Sequence, residues 1–219
     1  MRRALVLALV ALAAPASASA AQLNVAVGPP DAQLGDPHTA AGQMLDDAGK
    51  AMAGRRIALE VRPFPFTGDF RPVDHATTDK HGRFAFGDLE VDRNADVRVV
   101  AFDGTTSGIA RAFTYPAHEL SYTVVNSRRI RFTQTYRVPR DVRLTRETLF
   151  YVGRASRRTA PVVARGKPVR TRRGRFRARA TVTLPRSWHG RFHYASCFRY
   201  SKGSGMGDPA RGCPRRFRF

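Results

Sequence analysis

Arg173-Gly174-Arg175-Phe176-Arg177-Ala178-Arg179-Ala180-Thr181-Val182-Thr183-Leu184 is the stretch that decides the fold class. Polar and apolar residues alternate here with period two, the repeat of a strand whose successive side chains point to opposite faces. A helix would scatter the same residues around its circumference. Phe176, Ala178, Ala180, Val182 and Leu184 share one face, and Arg173, Arg175, Arg177 and Arg179 share the other. One face can then be buried while the other is wet, as in an antiparallel sheet.

The same rule extends in both directions. Ile130 to Val138 places Ile130, Phe132, Tyr136 and Val138 on one side, and Thr148 to Val152 reads as an apolar central strand. Arg191 to Tyr200 turns Phe192, Tyr194, Phe198 and Tyr200 inward, with Cys197 on the opposite parity. Toward the N-terminus, Gln22 to Val27, His38 to Leu45, Arg56 to Arg62, Phe70 to Thr78, Arg83 to Phe86, Asp96 to Phe102 and Ile109 to Tyr115 give about seven strands bounded by turn residues. Ala40 to Ala53 is the one helical competitor. Gly42, Gly49 and Gly54 weaken it, since an interior Gly costs about 1 kcal/mol relative to Ala, and a hairpin is expected instead.

Charge divides the chain in two. The whole protein of 219 residues carries +21, yet residues 22 to 117 hold 10 basic and 13 acidic side chains, a net of −3. Residues 118 to 219 hold 26 basic and 4 acidic, a net of +22. Such asymmetry points to two regions with different surfaces. The break falls at Tyr115-Pro116-Ala117-His118. The expected fold is all-β, two tandem antiparallel β-sandwiches over 21–116 and 117–219. With 42% hydrophobic and 25% charged residues the composition is that of a globular protein. Only the N-terminus is continuously apolar, which excludes a multi-span helical membrane protein.

That N-terminus has the parts of a secretory signal. Arg2 and Arg3 precede the apolar run Ala4 to Ala14; Pro15 breaks it, and Ala18-Ser19-Ala20 supplies the small residues of a cleavage site. Eleven apolar residues are too few for a transmembrane helix, which takes about 20. The expectation is a signal peptide over 1–20 and a secreted, extracellular protein, with wall attachment an option and no transmembrane segment. Export favours pairing Cys197 with Cys213. Two thiols without further ligands do not make a zinc site. The disulfide is expected on the outer face of a hairpin, clasping the Gly-rich loop Lys202 to Gly212, and such a loop closure is worth about 3 kcal/mol in the chain-entropy account.

Gly54-Arg55-Arg56-Ile57-Ala58-Leu59-Glu60, Thr77-Thr78-Asp79-Lys80-His81-Gly82-Arg83-Phe84-Ala85-Phe86 and Ala95-Asp96-Val97-Arg98-Val99 together resemble bacterial immunoglobulin-like modules. Fibronectin type III-like, carboxypeptidase regulatory-like and prealbumin-like sandwiches are close in kind, and the last two share the Thr-Asp-x-x-Gly-Arg-Phe hairpin. The resemblance covers about residues 22 to 116. The second half, with Leu184-Pro185 before Trp188 and the aromatic strand Phe192 to Tyr200, looks like a divergent second module. It implies a spacer, adhesive domain or accessory part of a secreted protein.

The candidate site is the basic second half. Successive outward arginines stand about 7 Å apart by strand rise, so Arg173, Arg175, Arg177 and Arg179 would form a row that Arg129, Arg131 and Arg137 extend. Guanidinium forks match phosphate and carboxylate oxygens, so the expected partner is an anionic cell-wall polymer or other polyanion. Set against this, the half holds 24 Arg and two Lys, a bias that codon composition alone can produce. The charge would then be compositional, and the chain a neutral structural or protein-partner-binding module.

Other chemistry finds less support. Asp88, Glu90, Asp92, Asn94 and Asp96 alternate oxygens as a calcium loop does, but Arg93 occupies the turn-glycine slot and Val99 the closing position. The six His are scattered, and no metal is expected. Arg215-Arg216-Phe217-Arg218-Phe219 interleaves cations with aromatics, yet export argues against specific nucleic-acid recognition. No GxSxG elbow, HExxH helix or Walker loop occurs. Gly203-Ser204-Gly205-Met206-Gly207 lacks the following helix that a phosphate loop needs. No catalytic residue and no cofactor is expected, with an enzyme or enzyme inhibitor of unrecognised site as the remaining alternative.

Overall fold

Alternating runs separated by turn residues fold as strands throughout. The computed structural model describes residues 21–144, 146–154, 162–188 and 192–207. The signal expected over 1–20, and Cys213, lie outside the described residues. The first eight strands are β1 (Gln22–Gly28), β2 (Asp31–Gln33), β3 (His38–Leu45), β4 (Arg56–Pro63), β5 (Arg71–Thr77), β6 (Arg83–Leu89), β7 (Ala95–Ala101) and β8 (Ala110–Tyr115). They form a three-stranded sheet, β1-β3-β6, facing a five-stranded one, β2-β8-β7-β4-β5. Pairing is antiparallel except for the short β2–β8 ladder, which is parallel. Residues 38–45 are a strand and not a helix, because β3 is held on both edges, by β1 and β6.

The second set is β9 (Ala117–Asn126), β10 (Arg129–Arg137), β11 (Thr148–Arg154), β12 (Val162–Gly166), β13 (Val169–Arg172), β14 (Arg175–Thr183) and β15 (Phe192–Cys197). A four-stranded sheet, β13-β14-β10-β9, lies against a three-stranded one, β12-β11-β15. The fold is therefore two tandem β-sandwiches of the immunoglobulin-like kind.

Each sandwich has its own core. Leu23, Met44, Phe84 and Phe86 of one sheet meet Ile57, Leu59, Val61, Val97 and Val99 of the other. The second core joins Phe132, Tyr136, Ala178 and Val182 to Phe150, Val152, Phe198 and Tyr200. Phe132 and Phe150 stack across it with centroids 5.8 Å apart. Two polar groups enter this core with partners. The Tyr136 hydroxyl lies 2.5 Å from Thr148 Oγ1, and burial pushes its pKa up, opposed by that hydrogen bond. Gln134 Oε1 accepts from Ser196 Oγ at 2.5 Å. Trp188 closes one end of the core by stacking on Phe192.

Two sequence expectations change. Thr77 to Phe86 is a tight turn: Asp79 Oδ1 accepts the N–H groups of His81 and Arg83, both at 2.8 Å, and Gly82 has φ 71°. But β5 and β6 belong to opposite sheets, so the chain crosses between layers there and no hairpin forms. The Gly-rich loop also differs from expectation. A short 3₁₀ turn, Lys202–Ser204, leads into Gly205-Met206-Gly207; residues 204–207 are buried, Met206 in the second core, and Gly205 and Gly207 against Phe64 and Tyr115 of the first sandwich. Asn94 N–H donates to Gly205 O at 2.7 Å, and Gly207 N–H donates to Thr114 O at 2.8 Å. Arg93 donates to Ser204 O at 3.3 Å and pairs with Asp141. The loop is not a surface appendage of a hairpin; it joins the two sandwiches.

Candidate anion-binding face

The register of β10 and β14 sets the site. Phe176, Ala178, Ala180 and Val182 turn toward the core, as do Ile130, Phe132, Gln134 and Tyr136 of the paired strand. The intervening residues face solvent, and Arg129, Arg131, Arg137, Arg175, Arg177 and Arg179 are exposed. Directly opposed pairs on this face are Arg129–Thr183, Arg131–Thr181, Thr133–Arg179, Thr135–Arg177 and Arg137–Arg175. Four of the five pairs thus match an arginine with a threonine. The cations are staggered along a diagonal, which lowers the repulsion that like charges suffer when directly opposed. Among the described residues no ion pair forms with Arg129, Arg131, Arg175, Arg177 or Arg179. Glu119, opposite Thr135, is the one acid in the sequence of these four strands.

Two of the expected seven arginines leave the row. Arg173 is exposed, but it sits in the turn before β14 beside Gly174, whose φ of 71° reverses the chain. Arg137 stands at the end of β10, where its guanidinium donates to Leu34 O of the first sandwich. It is an interdomain contact as much as a surface charge. Two cations that periodicity missed belong to the same sheet. Arg170 and Arg172 of β13 pair with Phe176 and Arg175, and a register shift lies between them. Four residues interrupted by a shift leave no alternation to detect. Arg170 also lies over the Phe176 ring, 5.9 Å from its centroid.

Arginines of the first sandwich are placed differently. On the outer face of its five-stranded sheet, Asp96 stands directly between Arg62 and Arg111. Its side chain is 3% exposed, with Arg62 at 2.9 Å and Arg111 at 2.7 Å. In the next row Arg98 pairs with Glu60 at 2.8 Å. Phe70 covers Arg62 and Arg98, with centroid distances of 4.5 and 4.1 Å, and Phe66 covers Arg111 at 4.6 Å. Two of the five oxygen-bearing residues of the candidate calcium loop are engaged here: Asp96 by arginines, and the Asn94 side chain by Thr114 N–H at 3.0 Å. Among the described residues no group of three His, Cys, Asp or Glu converges on one point.

No protein-family profile matches the chain, and no curated protein matches its sequence. Solved structures similar to it include invasin, a bacterial integrin-binding protein, at 14% identity over 84% of this chain and 37% of that one, with a TM-score of 0.39. Escherichia coli α2-macroglobulin is similar at 15% identity over 86% of this chain and 14% of that one, TM-score 0.37. The FN1–FN3 domains of chicken CNTN1 follow at 13% identity over 83% of this chain and 59% of theirs, TM-score 0.25. The chain spans about a third of invasin and a seventh of the macroglobulin. These are loose superpositions, and it is the sheet topology that defines the two sandwiches. Among the described residues no helix is long and apolar enough to cross a membrane.

Proposed function

We propose that this chain is a secreted, non-enzymatic binding protein whose second sandwich associates with anionic cell-envelope polymers or another polyanion. One observation carries the reading. Arg129, Arg131, Arg175, Arg177 and Arg179 are exposed on one sheet face with no acidic partner among the described residues. Bare guanidinium groups spaced along strands suit the repeating phosphates or carboxylates of a polymer. The signal-like residues 1–20 support export, and an oxidising destination supports a Cys197–Cys213 disulfide.

The test is binding of the full chain to isolated cell wall and to heparin across a salt series. Affinity should fall steeply as salt rises, and charge reversal at Arg175, Arg177 and Arg179 should abolish it. Binding that survives those reversals at moderate salt would sink the proposal.

A second reading, a protein-partner module, is favoured by a different feature. Tyr122 and Val124 of the edge strand β9 and Tyr194 of the edge strand β15 are 50%, 62% and 47% exposed. Saturable binding of a protein, unaffected by those reversals, would support it.

A further inference from the structure

The outer face of the three-stranded sheet β12-β11-β15 carries a cavity of 670 Å³. It lies in the other layer of the sandwich from the arginine row. Leu149 of β11 stands between Arg165 of β12 and Cys197 of β15, each directly opposite it, and these three line the floor. The segment Leu144, Arg146 and Glu147 lines one part of the wall, Lys167 and Pro168 another, and Arg199 a third. Among the described residues, four cations therefore converge on one concavity with a single carboxylate.

That carboxylate does little to neutralise them. Glu147 approaches Arg165 only to 3.9 Å, and both are exposed. Among the described residues no ion pair forms with Arg146, Lys167 or Arg199. Tyr151, two residues beyond Leu149 on the same face of β11, feels Arg199 and Arg165 as positive neighbours that oppose the rise burial gives its pKa. A concave wall concentrates a field that a flat face spreads. Like charges gathered around one concavity repel one another, and an anion seated among them removes that repulsion.

We infer that this cavity is a discrete binding site for a compact phosphate-bearing ligand of two or more negative charges. The excess of three positive charges among the described lining residues asks for more than one negative charge. The guanidinium forks of Arg146, Arg165 and Arg199 can each present paired donors to phosphate oxygens. Lys167 adds a point charge in the wall, and Leu144, Leu149 and Pro168 give apolar surface for whatever carries the phosphate. The site does not depend on the β10–β14 face, and either can exist without the other.

Calorimetric titration of the full chain with pyrophosphate, at fixed ionic strength, tests the site. Saturable binding to one site is expected. Replacing Arg165 and Arg199 together by Ala should weaken it at least about tenfold, the effect of losing charged hydrogen bonds worth 1.4 kcal/mol or more. Glu147→Gln should tighten it by about two- to fivefold, because a competing negative charge leaves the lining. Charge reversal at Arg175, Arg177 and Arg179 should leave it unchanged, which separates this site from the polymer-binding face. Citrate of similar charge should bind more weakly.

Absence of saturation, indifference to the Arg165 and Arg199 changes, weakening by Glu147→Gln, or loss on reversal of the β14 arginines would each overturn the assignment. Equal affinity for citrate would overturn the preference for phosphate. Should the double Arg variant fail to fold, Lys167→Ala and Glu147→Gln, both at exposed positions, carry the test through opposite shifts in affinity.

Discussion

The two sandwiches use arginine in opposite ways. In the first, Arg62, Arg98 and Arg111 lie in a lattice in which Asp96 and Glu60 alternate with them across three strands and Phe66 and Phe70 roof them over. Those charges are spent on holding the sheet's outer surface together. In the second, the same residue type on the same kind of surface meets threonines and solvent. The difference lies in what stands on the neighbouring strand. A cation beside a carboxylate belongs to the fold, and a cation beside a hydroxyl is left for an external partner.

The contrast can be broken from the first sandwich, where the largest effect is expected. Asp96→Ala leaves two guanidinium groups facing each other across an uncompensated, nearly buried gap. Losing the carboxylate's three charged hydrogen bonds to the partly exposed Arg62 and Arg111 costs about 3 kcal/mol, measurable by urea unfolding, while heparin affinity should not change. An unchanged unfolding midpoint would mean that the lattice is ornament.

The junction between the sandwiches comes next. At Gly205, φ is 71° and a Cβ would meet the Phe64 ring at 2.5 Å. Gly205→Ala should cost about 2 kcal/mol through strain and overlap and increase the radius of gyration in solution scattering as the loop lifts away. A folded variant of native compactness would show that the contact is incidental.

The second sandwich supplies the converse. Changing Arg175, Arg177 and Arg179 together to Ser should alter stability by no more than about 0.5 kcal/mol, as for surface positions without partners, yet abolish retention on heparin. Loss of stability comparable to that of Asp96→Ala would erase the distinction between the two faces.

The smallest effect concerns pH. Arg93, by its hydrogen bond, holds the Asp141 carboxyl below the usual carboxylate range. A depressed carboxyl contributes stability that is complete above its unfolded pKa, about 4, and is lost as pH falls through its folded value. The sandwiches should therefore loosen slightly under acid, an effect that Asp141→Asn removes. Scattering curves of the two proteins should differ at neutral pH and converge once the pH has fallen through the lowered pKa of Asp141.

How much of this was readable beforehand depended on the length of uninterrupted alternation. Residues 175–183 keep period two for nine positions, and both their strand and their outward arginines follow from that. Arg173 falls outside because Gly174 turns the chain one residue later, and periodicity counts a turn residue as readily as a strand residue. Arg137 lies on parity, but its contact with Leu34 joins positions far apart in sequence and leaves no local pattern. Gln134 breaks the apolar series and is nonetheless fully buried, because Ser196 on the opposite sheet satisfies its oxygen. The Thr-Asp-x-x-Gly turn was legible as a turn. Whether its strands pair or part company is settled by the layers they join. The cavity on the outer sheet draws on residues 144 to 199, a spread that no spacing rule spans.

The loop at residues 204–207 has a mechanical corollary. Between Tyr115 and Ala117 the covalent connection is a single proline, a joint that by itself could swivel. The returning loop adds a second point of attachment, through Asn94 and Thr114, so the joint is braced like a strut triangulated against its neighbour. A tug along the molecule would have to shear those hydrogen bonds before the modules could rotate, and the arginine face would keep its heading under load.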